Sequence, residues 1–163
     1  MIDFKLHVLD IIGGTTVDGV GLRTSIYLAG CRHQCHNCHN PHSWDPETGV
    51  LMSIDDIMQR VLEEDFNVTI TGGDPLFNPT MVAVLCKRIH DAGYNIWLYT
   101  GYTWEEILLS DKLRNAIQNV DYIVDGRFEE NLKDPTLKFR GSSNQRIINV
   151  KKSILSGVAV CDI

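Results

Sequence analysis

Four times along the chain a short apolar or β-branched run stops at a glycine-containing turn, and this rhythm limits the fold more than any other feature. The runs are Thr24 to Leu28 before Gly30, Asn67 to Thr71 before Gly72-Gly73-Asp74-Pro75, Ile96 to Thr100 before Gly101, and Tyr122 to Val124 before Asp125-Gly126. β-Branched and aromatic residues suit strands, and glycine permits the sharp departure at the end of each. Between the runs lie helical patterns. Ser53 with Asp56 resembles a capping box ahead of Ile54, Ile57, Met58, Val61 and Leu62. Asn78 and Pro79 open a second stripe through Ile89 that Gly93 ends, Thr103 with Glu106 starts a third helix, and a fourth is expected from Asp111 to Val120. Ile147 to Val150 reads as the last strand. Alternating strands and helices imply an α/β fold with a mostly parallel sheet. In such sheets ligands gather at the carboxyl ends of the strands, so the four turns should converge on one edge.

A length of 163 residues, 44 % hydrophobic and 22 % charged, is expected to form a single domain with one core over about 3 to 152 and a tail from 153 to 163. The N-terminal residues carry Asp3, Lys5 and Asp10, and no apolar run reaches a membrane-spanning length, so a soluble cytoplasmic protein is expected. The net charge of −6 argues against general binding to nucleic acid or an anionic membrane. Charge is uneven, however: residues 1 to 126 hold 8 basic against 17 acidic groups, and residues 127 to 152 hold 7 against 3. Exposed lysines in the second stretch, Lys133, Lys138, Lys151 and Lys152, are candidates for meeting an anionic ligand or an acidic partner, a solvated surface being the simpler reading.

Three of the five cysteines fall within eight residues, Cys31-Arg32-His33-Gln34-Cys35-His36-Asn37-Cys38. They cannot all pair with one another, and such a cluster reads as metal-binding before it reads as disulfide. Cys-x3-Cys-x2-Cys suits a [4Fe-4S] cluster with one iron left open. Structural zinc competes, with His33, His36, His39 or His42 as the fourth ligand. Cys86 lies on the apolar stripe of a helix and reads as an inert buried thiol, Cys161 as an unassigned thiol near the chain end, and Trp44 and Trp97 as packing residues.

The cysteine motif after a strand and the Gly-Gly-acid-Pro turn after the next resemble the radical S-adenosylmethionine (SAM) superfamily. The resemblance extends to the activating enzymes of anaerobic (class III) ribonucleoside-triphosphate reductase. It is carried by Asp18-Gly19-Val20-Gly21-Leu22-Arg23-Thr24, the cysteine loop with Asn40-Pro41 and Trp44, Thr71 to Leu76, Trp97 to Tyr102, Asp125-Gly126-Arg127-Phe128 and Phe139 to Arg146. It implies an incomplete, open (β/α) half-barrel, since 163 residues fall short of the roughly 250 of a full barrel. It further implies that Cys31, Cys35 and Cys38 hold a [4Fe-4S] cluster, that SAM chelates the open iron, and that reductive cleavage yields a 5′-deoxyadenosyl radical. This radical takes hydrogen from a glycine of the reductase, with no catalytic side chain of the activase taking part. Cofactor-binding roles carried over are backbone at Asn37, Cys38 and His39 beside the adenine, Thr71, Gly72, Gly73 and Asp74 at the amino group, and Asp125 and Arg127 at the carboxylate. Gly73→Val is accordingly expected to weaken SAM binding and leave the cluster in place. Asn37 stands where the superfamily often has an aromatic residue, and Val20 where a proline is frequent. The implied partners are the reductase, which closes the open side, and an electron donor such as flavodoxin. The rival readings are an activase of another glycyl-radical enzyme, of the pyruvate formate-lyase type, and a non-catalytic Cys3His zinc module.

Overall fold

The computed structural model describes residues 4–38 and 41–163. Its centre is a seven-stranded sheet: β1 (Lys5–Thr15), β2 (Arg23–Leu28), β3 (Val50–Ser53), β4 (Asn67–Gly72), β5 (Ile96–Tyr99), β6 (Tyr122–Asp125) and β7 (Arg146–Asn149), in the order β3-β1-β2-β4-β5-β6-β7. β2, β4, β5 and β6 are mutually parallel, and β1 and β7 flank them antiparallel. This is the expected α/β half-barrel, with a parallel centre and antiparallel borders. β1 and β3, for which the sequence pattern provided no expectation, add an antiparallel pair at one side.

The helices form where their caps and stripes coincide. In α1 (Ile54–Glu64) the Ser53 hydroxyl accepts from the Asp56 N–H, and Ile54, Ile57, Met58 and Val61 are buried. In α2 (Pro79–Asp91) the Asn78 side chain accepts from Met81 N–H, and Val82, Leu85, Cys86 and Ile89 face inward. α3 (Trp104–Leu108) begins with a full capping box between Thr103 and Glu106. α4 (Asp111–Ala116) is shorter than expected, because Asp121 must already pair with Ile96 to align β6 beside β5. α5 (Val150–Ser156) follows β7 directly.

Residues 153 to 156 belong to α5, and the chain beyond them folds back on it. Ser153 is buried, and Val160 is bound at both backbone groups, its carbonyl to Asn149 N–H and its N–H to Ser153 Oγ.

Alternation along the strands separates two apolar layers. Ile26, Val68, Ile70, Ile96, Leu98, Ile123 and Ile148 pack under the helices. On the other face Trp97 and Val124 lie with Tyr99, Tyr122 and Phe139, so the chain's own segment between β6 and β7 covers part of the inner surface. The loop before β2 closes more of it: Asp18 accepts from Ser25 and from Tyr27 at 2.9 and 2.6 Å, and its carbonyl accepts from Thr69.

Arg23 ties this loop to the sheet. It is 2 % exposed and donates to Thr69 Oγ1, Val68 O, Asn95 Oδ1 and Val20 O, with Trp97 beneath its guanidinium. Burial lowers its pKa to about 10, still leaving it charged at neutral pH. Arg23→Met leaves these acceptors without their donor and is expected to lower the stability of the metal-free protein by about 3 kcal/mol. Urea unfolding checks this as a lower midpoint at unchanged slope.

Candidate functional site

The four glycine turns do meet at one edge. The Gly73 N–H donates to Leu28 O at 2.8 Å, joining the end of β4 to the end of β2. The Asp74 N–H donates to Gly30 O at 2.7 Å, Thr100 N–H to Val124 O, and Gly126 N–H to Tyr102 O. Gly72 has φ +113°, and a Cβ on it would overlap the backbone of Leu28. At Gly73 the obstruction is Gly30 O and Ser43 O, the two carbonyls that frame the start of the cysteine loop. The glycine is thus required by the chain's own backbone. Gly73→Ala is expected to unseat the cysteine loop and to reduce iron uptake as well as SAM binding. Iron analysis after anaerobic reconstitution, beside a SAM titration, distinguishes this from the sequence-based expectation of a SAM defect alone.

Cys31, Cys35 and Cys38 are half-buried free thiols on this loop, which is anchored by Gly30 N–H to Ser43 O and Cys31 N–H to Trp44 O. Cys35 and Cys38 are joined by a turn, Cys38 N–H donating to Cys35 O at 3.1 Å. Desolvation raises the pKa of Cys31 and of Cys35, partly offset at Cys35 by the Phe128 backbone and the Arg127 charge. A bound cation at such a place would offset the cost of forming thiolates. Among the described residues no three His, Cys, Asp or Glu side chains gather closely enough to hold a single metal ion. Three free thiols on one anchored loop, opening on a cleft, fit a four-iron cluster, which spaces its thiolates more widely than one ion does.

The histidines around the loop take separate paths. His33 turns inward to Asp74, His36 is exposed beside Glu130, and His42 is exposed; His39 lies outside the described residues. Asn37 has φ +54° and donates to Glu130, a left-handed turn position that asparagine tolerates and that an aromatic residue would strain. Cys86 is fully buried, burial pushing its thiol up to about 12, whereas Cys161 is exposed.

Beside the loop opens a cleft of about 650 Å³, lined by His33, Cys35, Asp125, Arg127, Asn144 and Arg146 among others. Asp125 is 1 % exposed, and its carboxylate accepts from Trp104 N–H at 2.8 Å and from Arg146 Nη2 at 2.6 Å. Arg146 also forks onto Glu105, and these two partners raise its pKa. Arg127 makes a parallel fork onto Glu106 at 2.8 and 3.0 Å, which holds that glutamate down to about 2. The first turn of α3 thus supplies a carboxylate to each arginine. Sequence reasoning treated Thr103 and Glu106 as a cap and assigned no role to Arg146 or Glu105. Nothing in their spacing joins them, because the pairs form across β6, β7 and α3. Asp74 is equally engaged, its side chain accepting from four donors inside the protein.

Comparison with known proteins agrees with this geometry. The family described as 4Fe-4S single cluster domain matches residues 17–148. The anaerobic ribonucleoside-triphosphate reductase-activating protein of Pasteurella multocida is 35 % identical, over 80 % of this chain and 89 % of its own. That of phage T4 is 34 % identical over 80 % and 86 %, and that of Escherichia coli K12 is 32 % identical over 83 % and 93 %. Among solved structures, QueE from Escherichia coli shares the fold, with a TM-score of 0.51 over 74 % of this chain and 70 % of that one at 15 % identity. The chain belongs to the family of anaerobic ribonucleoside-triphosphate reductase-activating proteins.

Proposed function

We propose that the protein is a radical SAM enzyme that installs a glycyl radical on an anaerobic ribonucleoside-triphosphate reductase. The observation that carries the reading is the meeting of three free thiols with the Gly72–Gly73 turn and the arginine-lined cleft at one sheet edge. When bound, the reduced cluster supplies one electron that splits SAM into methionine and a 5′-deoxyadenosyl radical, which takes a hydrogen atom from a glycine Cα to leave 5′-deoxyadenosine and a glycyl radical.

The chain's own residues bind and orient. Cys31, Cys35 and Cys38 would hold the cluster through three of its irons and leave the fourth open to SAM. Backbone at Thr71, Gly72 and Gly73 would accommodate the amino group, and Asn37 and Cys38 would border the adenine. Asp74 and Asp125 serve this site by holding its walls, since both carboxylates are already bound within the protein. Arg127 lines the cleft and would exchange Glu106 for the SAM carboxylate. The site forms in a single domain spanning the chain. An electron donor such as flavodoxin and a cytoplasmic location complete the reading; no helix among the described residues is long and apolar enough to cross a membrane.

Alanine at Cys31, Cys35 or Cys38 is expected to abolish cluster absorbance and release of 5′-deoxyadenosine, while Cys86→Ala retains both. Full cluster content in Cys35→Ala contradicts the ligand set. Arg127→Gln is expected to raise the SAM dissociation constant by about fivefold, because a half-exposed arginine that must first leave Glu106 gains only about 1 kcal/mol. Isothermal titration with the reconstituted protein measures it. Lys133, Lys138 and Lys151 are exposed, and Lys152 pairs with Asp162. Glutamine at all four is expected to slow activation of the reductase at low salt and leave SAM cleavage by the isolated enzyme unchanged. Equal activation rates from about 50 to 200 mM salt mark this stretch as a solvated surface.

A further inference from the structure

The cysteine loop follows a strained path. Gln34 and Asn37, on either side of Cys35, have φ +49° and +54°, a region that costs non-glycine residues energy and persists only where the surroundings hold it. Its exposed side chains hold it at the surface only, Asn37 and His36 against Glu130 and Arg32 over Phe77. Arg32, Gln34, His36 and Asn37 are exposed, whereas the side chain of His33 is 6 % exposed.

His33 is held on every side. Its Nε2 lies 2.6 Å from Asp74 Oδ2, and Tyr102 meets its ring edge-on at 4.7 Å between centroids. Gly101 makes room for it, since a Cβ there would overlap the imidazole. The same Oδ2 accepts from Thr100 Oγ1 at 3.0 Å and from Gly101 N–H at 2.9 Å, while Oδ1 accepts from Leu76 N–H. A carboxylate oxygen already accepting two bonds requires a donor in the third, so His33 carries its proton on Nε2.

We propose that His33 is a positioning residue for the cluster loop. Its bond to Asp74 sets the Cys31–Cys35 spacer against the Gly72–Gly73 turn, so that thiols and SAM-binding backbone are in register before the cluster is inserted. The inference rests on the cysteine loop carrying the cluster, as proposed above. Outer-shell partners that orient metal ligands are commonly worth tenfold or more in metal retention.

The test compares His33→Phe, which keeps a ring against Tyr102 but has no donor, with His33→Gln, which keeps a donor. After anaerobic reconstitution, the rate at which an iron chelator strips the cluster and the cluster's midpoint potential are measured, together with the melting temperature of the metal-free proteins. The expected result is stripping on the order of tenfold faster and a shifted potential in His33→Phe, with most of the retention restored in His33→Gln. Stripping and potential equal to the unmodified protein in His33→Phe overturn the proposal. So does equal impairment in both variants accompanied by equal loss of melting temperature, which marks a packing role only. If the unmodified protein takes up no iron, the functional reading fails. The clamp is then decided by nitrogen NMR of the metal-free protein, where a His33 ring lacking a protected Nε2 proton contradicts it.

Discussion

One buried carboxylate organises the site. Asp74 is 2 % exposed and accepts four hydrogen bonds, from the cysteine loop, from its own turn and from the turn after β5. Removing such a group from water is costly, and the four hydrogen bonds offset that cost. The consequence is geometric. Three stretches of chain far apart in sequence are drawn to one point, and the backbone bonds from Gly73 to Leu28 and from Asp74 to Gly30 then leave no space for side chains at Gly72 or Gly73. The cysteine loop, which has little regular structure of its own, takes its shape from that edge.

A second set of charges borders the cleft. Asp125 fixes Arg146 from within the sheet, Glu105 meets it from α3, and Glu106 forks onto Arg127. These pairs differ in depth, and their energetic weight differs accordingly. The buried Asp125 with Arg146 is a structural tie whose disruption strands a charge, whereas Arg127 and Glu106 are each more than a third exposed and exchange partners at little cost. Under the proposed function, this partly exposed arginine beside the cysteine loop is the one that would receive a ligand carboxylate.

Much of this was legible in the residues. The four strand-and-turn units were readable because short apolar or β-branched runs end at glycines, and Ser53, Asn78 and Thr103 marked helix starts through hydroxyl or amide caps that the structure reproduces. β1 and β3 were not readable. β1 interrupts its apolar alternation with Asp10 and carries Gly13-Gly14 before its last residue, and β3 is four residues long with Val50 and Leu51 exposed on the border. The folding back of the last residues depends on the Val160 N–H donating to Ser153 Oγ and the Asn149 N–H donating to Val160 O, polar contacts that leave no periodic trace. In the site, residue types pointed to a cluster, but partners did not follow from spacing. His33 with Asp74, and Arg127 with Glu106, are separated by 41 and 21 positions and meet only through the sheet.

The account stands most directly on the radical left behind on the partner. The reconstituted protein is mixed anaerobically with a one-electron reductant, SAM and an anaerobic ribonucleoside-triphosphate reductase, and the mixture is examined by electron paramagnetic resonance. The account predicts an organic radical on the reductase whose hyperfine splitting collapses when that reductase is labelled with α-deuterated glycine. Release of 5′-deoxyadenosine and methionine with no such radical on the reductase contradicts it.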